Sequence, residues 1–285
     1  TSATTGLSIP PSNVLIVYSL AAGGLRIGAL FIAGYVPGIL TGLALMAVAS
    51  AIAHRRNYPR AEKTSLRFAL IKFLDAIPSL GMIIVVIGGI IAGVFTATEA
   101  AGIAVVYALI LSFIYREISF KDLPNIIIRS VVTSCIVLLL VGTSIALSWV
   151  MSFLNLPQTI SAALLGLSEN PIVILLIINL ILLAVGVFMD MTPAILIFTP
   201  IFLPIALNMG IDPVHFGMIM VLNLSIGLVT PPVGTLLFVG CSISKIGIEK
   251  VIRPLLPMYA AMFIILMLIT YIPELTLWLP EFFGF

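Results

Sequence analysis

The sequence predicts an all-α polytopic membrane protein with inverted repeats, helices broken at paired prolines and a re-entrant hairpin. Three observations carry this. First, the 285 residues are 61% hydrophobic and 8% charged, where soluble chains carry about 25% charged residues. Mean hydropathy is +1.30. Several apolar runs reach the roughly 20 residues that a helix needs to span a bilayer, and the alternation of a lipid-facing β-barrel is absent. Second, Gly227-Leu228-Val229-Thr230-Pro231-Pro232-Val233-Gly234 interrupts an apolar run from Phe216 to Ser244. Two adjacent prolines remove two amide donors and clash with the preceding turn, so the helix breaks there. Broken backbone at membrane depth is tolerated only where it is buried in protein or lines a cavity. The freed carbonyls of Gly227 to Thr230 can then bind a cation or a polar solute. Third, the pattern recurs as Gly6-Leu7-Ser8-Ile9-Pro10-Pro11-Ser12, in register at one offset (227 − 6 = 221). A kink that merely shapes a helix explains one such motif. Two in register, in corresponding halves, point to a solute site in the membrane.

Other residues narrow the class. A net charge of +2 does not suggest nucleic acid as a partner. Cys135 and Cys241 lie in apolar segments without paired spacing and read as packing residues, not a disulfide or a metal site. His54 and His215 lack partners at metal spacing and read as structural. Residue 1 is Thr and the chain opens almost directly on the first break. The expectation is therefore the C-terminal part of a longer polypeptide, or of a chain processed or split upstream.

In chain order, Asn13 to Ala22 completes a half-membrane helix, and Gly23, Gly24 and Arg26 mark a turn. Ala29 to Ala53 is a full span with a kink expected at Pro37 and Gly38. Six of the 13 Lys and Arg residues follow (Arg55, Arg56, Arg60, Lys63, Arg67 and Lys72), which makes this loop cytoplasmic. Within it Ser65 to Asp75 reads as a short amphipathic helix on the membrane surface. Ile77 to Val94 and Ala100 to Tyr115 are apolar runs, and Thr96 with Glu99 forms a capping box between them. Glu99 also has a possible role in transport, as intramembrane acids tend to be functional. Leu123 to Leu154 reads as an interfacial segment up to Arg129 and then a crossing. Pro157 to Ser168 reads as an interfacial helix. Pro171 to Val187 and Ala194 to Leu207 are arms around Phe188-Met189-Asp190-Met191-Thr192-Pro193. Asp212 opens the segment that carries the second break. Lys245, Lys250 and Arg253 are cytoplasmic, Leu255 to Ile272 is the last span, and the C-terminus is outside. The resulting divisions are 1–54, the remainder of a first repeat; 55–75, the cytoplasmic loop; 76–168, scaffold and arm helices; 169–244, hairpin and second break; and 245–285, the last span and C-terminus.

This orientation makes the repeats inverted. The first break leads through an outside turn to a span that ends in the cytoplasm. The second leads through a cytoplasmic turn to a span that ends outside. Arg26-Ile27-Gly28 against Lys245-Ile246-Gly247, and Pro37 against Pro257, extend the match within two residues of the same offset. Inverted repeats are a hallmark of alternating-access carriers.

Asp190 is the lone charge between Glu169 and Asp212. Pro171 to Leu207 reads either as two full spans with a cytoplasmic turn, or as a re-entrant hairpin with its tip near the midplane. The turn lacks Lys and Arg, and the second arm is short and holds Pro200 and Pro204, which favours the hairpin. A carboxylate at membrane depth is a functional hypothesis by default. Asp190, Thr192 and the tip carbonyls could meet those of Gly227 to Thr230 in an oxygen-rich cage suited to Na+. The plainer role of Asp190 is an N-cap for the second arm, and it could serve both.

These stretches resemble the large membrane subunit, of DctM type, of tripartite ATP-independent periplasmic (TRAP) transporters. The matching residues are Gly6 to Ser12, Thr96-Ala97-Thr98-Glu99-Ala100-Ala101, the tip from Gly186 to Pro193, and Gly227 to Gly234 ahead of Leu236, Phe238 and Val239. The family's large subunit is longer at its N-terminus, where it holds the first scaffold helices and a first hairpin. The resemblance implies an elevator-type carrier of the bacterial inner membrane, in which Na+ enters with an organic acid such as a dicarboxylate, sialic acid or another sugar acid. It implies two partners, a soluble periplasmic substrate-binding protein and a small membrane subunit of DctQ type. It places one Na+ site at the carbonyls of Gly6, Ile9 and Pro11. A second falls at Gly186, Asp190, Thr192, Gly227, Thr230 and Pro232, with substrate near Ser12 and Thr230. Without the first hairpin, the first Na+ site and the substrate site are incomplete. Proton coupling through Asp190 and a non-transporting structural subunit are the alternatives. A channel would need a continuous polar pore, and the helices show few polar faces. An enzyme would need a nucleophile and base, or a metal set such as His-Glu-X-X-His, and neither is present.

Overall fold

A computed structural model describes residues 2–56, 65–168, 170–232 and 234–285. Arg60 and Lys63 of the basic cluster, Glu169 and Val233 of the second break lie outside the described residues. Thirteen described helices run in the order α1 (Ser2–Ser8), α2 (Asn13–Ala21), α3 (Ile27–Arg55), α4 (Leu66–Ile91), α5 (Ala97–Ile114), α6 (Leu123–Phe153) and α7 (Leu156–Leu167). They continue with α8 (Pro171–Phe188), α9 (Met191–Asn208), α10 (Pro213–Gly227), α11 (Thr235–Ser244), α12 (Ile248–Tyr271) and α13 (Glu274–Phe282). Six of them, α3, α4, α6, α8, α9 and α12, are long and apolar enough to cross a bilayer. The fold among the described residues is all-α and polytopic.

The chain divides into two compact units, Thr1–Arg55 with Leu140–Phe285, and Arg56–Leu139. In the larger unit α10 is the central element. Its side chains from His215 to Gly227 are all buried, and α1, α2, α3, α8, α9, α12 and α13 pack around it. A helix with apolar side chains all round, and polar ones only where a neighbour can bond them, needs such a surround. Leu222 and Ile226 of α10 share a cluster with Leu45 of α3, Val229 of the break, and Met262, Ile265, Leu266 and Ile269 of α12.

Both breaks fall where the prolines require. α1 ends at Ser8 and α2 starts at Asn13; α10 ends at Gly227 and α11 starts at Thr235. Each Pro-Pro peptide, Pro10-Pro11 and Pro231-Pro232, is cis. The spans that follow begin at Ile27 and Ile248, again 221 apart (248 − 27 = 221), and pack against each other. Proline alone does not break these helices: α3 runs continuously through Pro37 and α12 through Pro254 and Pro257.

In the smaller unit α4 packs on α5, and Tyr107 Oη donates to the Pro78 carbonyl at 2.7 Å. Thr96 and Glu99 form the capping box that starts α5, with Thr96 N donating to Glu99 Oε2 at 2.8 Å and Glu99 N to Thr96 Oγ1 at 3.3 Å. The unit's large apolar side chains mostly stand exposed, Leu66 and Ile84 among them, as on a lipid-facing surface.

Four sequence expectations change. Ser65 to Asp75 is not a separate surface helix. Ser65 caps α4 by accepting from Phe68 N at 3.2 Å, and the helix then continues through Pro78 for 26 residues. α6 is one 31-residue helix without a boundary at Arg129, about 46 Å long at 1.5 Å per residue. The second hairpin arm is not short. α9 matches α8 at 18 residues, because Pro193 is accommodated in its first turn, where the missing amide costs little. Beyond the last span, α13 adds a further helix that packs on α3 and α10.

Candidate functional site

The second break is a run of turns, and the carbonyls of Gly227, Leu228 and Val229, expected to be freed by the break, each accept a hydrogen bond. Past Gly227 the chain tightens, with Val229 N donating to Ile226 O at 3.2 Å and Thr230 N to Gly227 O at 2.9 Å. The hydroxyl of Thr230 turns back to Ile226 O at 2.7 Å. Leu228 O accepts from Leu236 N at 3.1 Å, and Val229 O from Tyr259 Oη of α12 at 2.6 Å. Gly234 lets the chain re-enter a helix. Its φ is +38°, a region that favours glycine, and a Cβ there would meet Thr230 O at 2.8 Å.

The hairpin tip is joined to this break. A Cβ on Gly227 would lie 2.5 Å from the Gly186 carbonyl carbon and 2.6 Å from its Cα, so the two backbones touch where each lacks a side chain. Gly234 N also donates to Val187 O at 3.3 Å. Both arms of the hairpin, α8 and α9, are long and apolar enough to cross a bilayer, so the short second arm that favoured a re-entrant hairpin is not found.

Asp190 stands at the N-cap of α9 with extended backbone, but its side chain makes no cap hydrogen bond. The expected cap is thus present in the backbone and missing in the carboxylate, which is exposed and not spent on the helix amides. Thr192 is half-buried and Pro232 exposed. Among the described residues, no hydrogen bond ties the Asp190 or Thr192 side chain to the break.

At the first break Gly6, Ile9 and Pro11 line one open groove of about 670 Å³, together with Thr5, Gly42, Leu45 and Met258. The groove is wide at Gly6, where a Cβ would meet nothing within 4 Å. Gly6 occupies the position equivalent to Gly227, which the hairpin tip covers. Ser12 is buried and donates to Leu7 O at 2.7 Å. The hydroxyls of Ser12 and Thr230 thus each donate to the helix that precedes the break, at Leu7 O of α1 and Ile226 O of α10, and each keeps its lone pairs to accept a further donor. Among the described residues no three His, Cys, Asp or Glu side chains are grouped to hold a metal, and Cys135 and Cys241 are both free, Cys135 exposed.

Sequence reasoning missed a buried polar ladder behind the site. Asn223 Nδ2 of α10 donates to Asn179 O and Oδ1 of α8 at 2.9 and 2.7 Å. Asn179 Nδ2 donates to Thr270 Oγ1 of α12 at 3.0 Å, and Thr270 Oγ1 to Leu266 O at 2.8 Å. His215 Nδ1 lies 2.7 Å from Thr276 Oγ1. Asn179, Asn223 and Thr270 are at most 1% exposed. The ladder ties the hairpin arm to the broken helix and the last span. Its one signal was that Asn179 is the single polar side chain in α8, since polar groups inside apolar helices tend to bond across to a neighbour.

Residues 1–275 match the family described as "Tripartite ATP-independent periplasmic transporter, DctM component". The chain is 63% identical to the uncharacterized protein YgiK of Salmonella typhimurium, over 99% of this chain and 65% of that protein. It is 39% identical to the C4-dicarboxylate TRAP transporter large permease protein DctM of Pseudomonas aeruginosa, over 99% of this chain and 66% of that one. It is 38% identical to the sialic acid TRAP transporter large permease protein SiaM of Vibrio cholerae, over 98% and 65%. The chain therefore spans about two thirds of the length of these relatives.

Proposed function

Because the chain belongs to the DctM component family of tripartite ATP-independent periplasmic transporters, we propose that it forms the binding core of a large permease subunit that imports an organic acid with Na+. The observation that carries this reading is the seating of the hairpin tip, Gly186, on the second break at Gly227. Unwound carbonyls at such a break coordinate Na+ in carriers built from inverted repeats. Asp190 adds a carboxylate not spent on the helix, and Thr192, Thr230 and the backbone at Pro232 complete a set of hard oxygen donors. The groove at Gly6, Ile9 and Pro11 is the counterpart site, and Ser12 and Thr230 face the acid between the breaks. Both breaks and the hairpin pack into one unit, which suits an elevator that carries them as a single body.

The substrate is an organic acid, since the relatives are named for a C4-dicarboxylate and for sialic acid. A periplasmic binding protein delivers it and a small membrane subunit of DctQ type braces the permease. The basic cluster around Arg55 faces the cytoplasm and the C-terminus the periplasm, following the positive-inside rule. The test is uptake into proteoliposomes that hold the complete large subunit and its small partner, with loaded binding protein outside. Uptake should follow an inward Na+ gradient and ignore a proton gradient applied alone. Uptake driven by protons without Na+ would sink the coupling, and passive leak at channel rates would sink the carrier.

A further inference from the structure

The two breaks are related by sequence but held by different devices. At the second, Val229 C=O and Thr230 N–H belong to one planar peptide group. Tyr259 Oη donates to the carbonyl at 2.6 Å, and the amide donates to Gly227 O at 2.9 Å. Both edges of that plane are therefore fixed. Its tilt sets the direction in which the neighbouring carbonyls of the break point. Tyr259 is half-buried and packs against the apolar cluster that contains Val229, so its hydroxyl is held rather than free to swing.

Subtracting the repeat offset gives the first break's counterparts: Val229 corresponds to Ser8 (229 − 221 = 8), and Tyr259 falls opposite Gly38 (259 − 221 = 38) or, with Pro257 set on Pro37, opposite Ile39 (259 − 220 = 39). Neither position has a hydroxyl to offer. There α3 approaches the break directly. A Cβ on Gly38 would collide with Ile9 Cγ1, and one on Gly34 with the Ser8 carbonyl oxygen itself. The first break rests on a bare glycine surface, and the second hangs on a hydroxyl.

We propose that Tyr259 is a positioning residue for the second break: its hydroxyl orients the Val229–Thr230 peptide and so sets the cation affinity of that break, a control the first break lacks. This rests on the reading that Na+ binds at the second break. Removing one hydrogen bond of this kind lowers the population of the correctly oriented break about five-fold. The charge of the break and the packing of the ring stay as they are.

The experiment uses the complete permease with its small subunit and loaded binding protein. Initial uptake is measured against Na+ concentration for the unsubstituted protein, Tyr259→Phe and Tyr271→Phe. Tyr271 makes a similar hydroxyl-to-carbonyl bond, to Ile172 O at 3.0 Å, away from both breaks, and serves as the control. In Tyr259→Phe the half-saturating Na+ concentration should rise about five-fold, with maximal uptake at saturating Na+ within two-fold and the melting temperature within a few degrees. In Tyr271→Phe the Na+ curve should not move. A Tyr259→Phe curve that overlays the unsubstituted one, or shifts no more than Tyr271→Phe, overturns the role of Tyr259 alone. So does a loss confined to maximal uptake. Na+-independent uptake by the unsubstituted protein overturns the underlying reading and this proposal with it.

Discussion

Substituting Gly227 by alanine should separate the hairpin from the break. The added Cβ would lie 2.5, 2.6 and 2.9 Å from the carbonyl carbon, Cα and oxygen of Gly186. All three are backbone atoms, so no side chain can rotate away and one helix must shift. Overpacking costs about 1–3 kcal/mol, and a backbone-on-backbone clash belongs at the upper end. At about 3 kcal/mol the seated arrangement loses roughly 100-fold against unseated ones. Gly186→Ala is milder, since its Cβ would meet Gly227 Cα and Leu224 O at 3.2 Å, which a shift of a few tenths of an ångström relieves. About 1 kcal/mol, or five-fold, is expected there. Gly240→Ala in α11 is the control, with nothing within 4 Å of its Cβ. The assay is Na+-driven uptake beside the melting temperature of the purified protein. The expected order of loss is Gly227→Ala, then Gly186→Ala, with Gly240→Ala unchanged. Gly227→Ala with unsubstituted uptake and melting temperature refutes the idea that the glycine contact seats the tip.

Two further outcomes are expected. Asn179→Leu strips the ladder of its bonds to Asn223 Nδ2 and Thr270 Oγ1, leaving buried polar groups short of partners. It should destabilise the protein by about 1–3 kcal/mol, while Asn179→Leu with Asn223→Leu should recover part of that loss; unfolding in detergent checks both, and a double variant less stable than the single contradicts the pairing. Gly34→Ala places a methyl on Ser8 O and should cut uptake by the same order as Gly227→Ala, while Gly88→Ala, whose Cβ meets nothing within 4 Å, leaves uptake unchanged.

Local chemistry wrote much of this fold openly into the sequence. Paired prolines fixed both breaks, because two missing amides in succession leave no way to continue the helix. Thr96 and Asp212 marked helix starts that the structure keeps, Asp212 Oδ1 accepting from Val214 N at 2.7 Å. Single prolines misled at Pro200 and Pro204, which α9 carries inside its 18 residues, since neighbouring groups absorb one missing amide. The charge at Arg129 did not end α6, because a long side chain can reach the interface without breaking its helix. The polar ladder was illegible for a different reason. Asn179 and Thr270 are 91 residues apart, and only the packing of α8, α10 and α12 brings them together. The anchor from Tyr259 to Val229 O was hidden in the same way.

The central claim is that the hairpin tip and the second break hold the coupling cation. The most direct measurement is the Na+ dependence of uptake by the complete permease carrying Asp190→Ala or Thr230→Ala, beside the unsubstituted protein. The expected result is a half-saturating Na+ concentration raised ten-fold or more in each variant, or gradient-driven uptake lost, with the folded protein intact. Na+ curves that overlay the unsubstituted one would place the cation elsewhere and contradict the account.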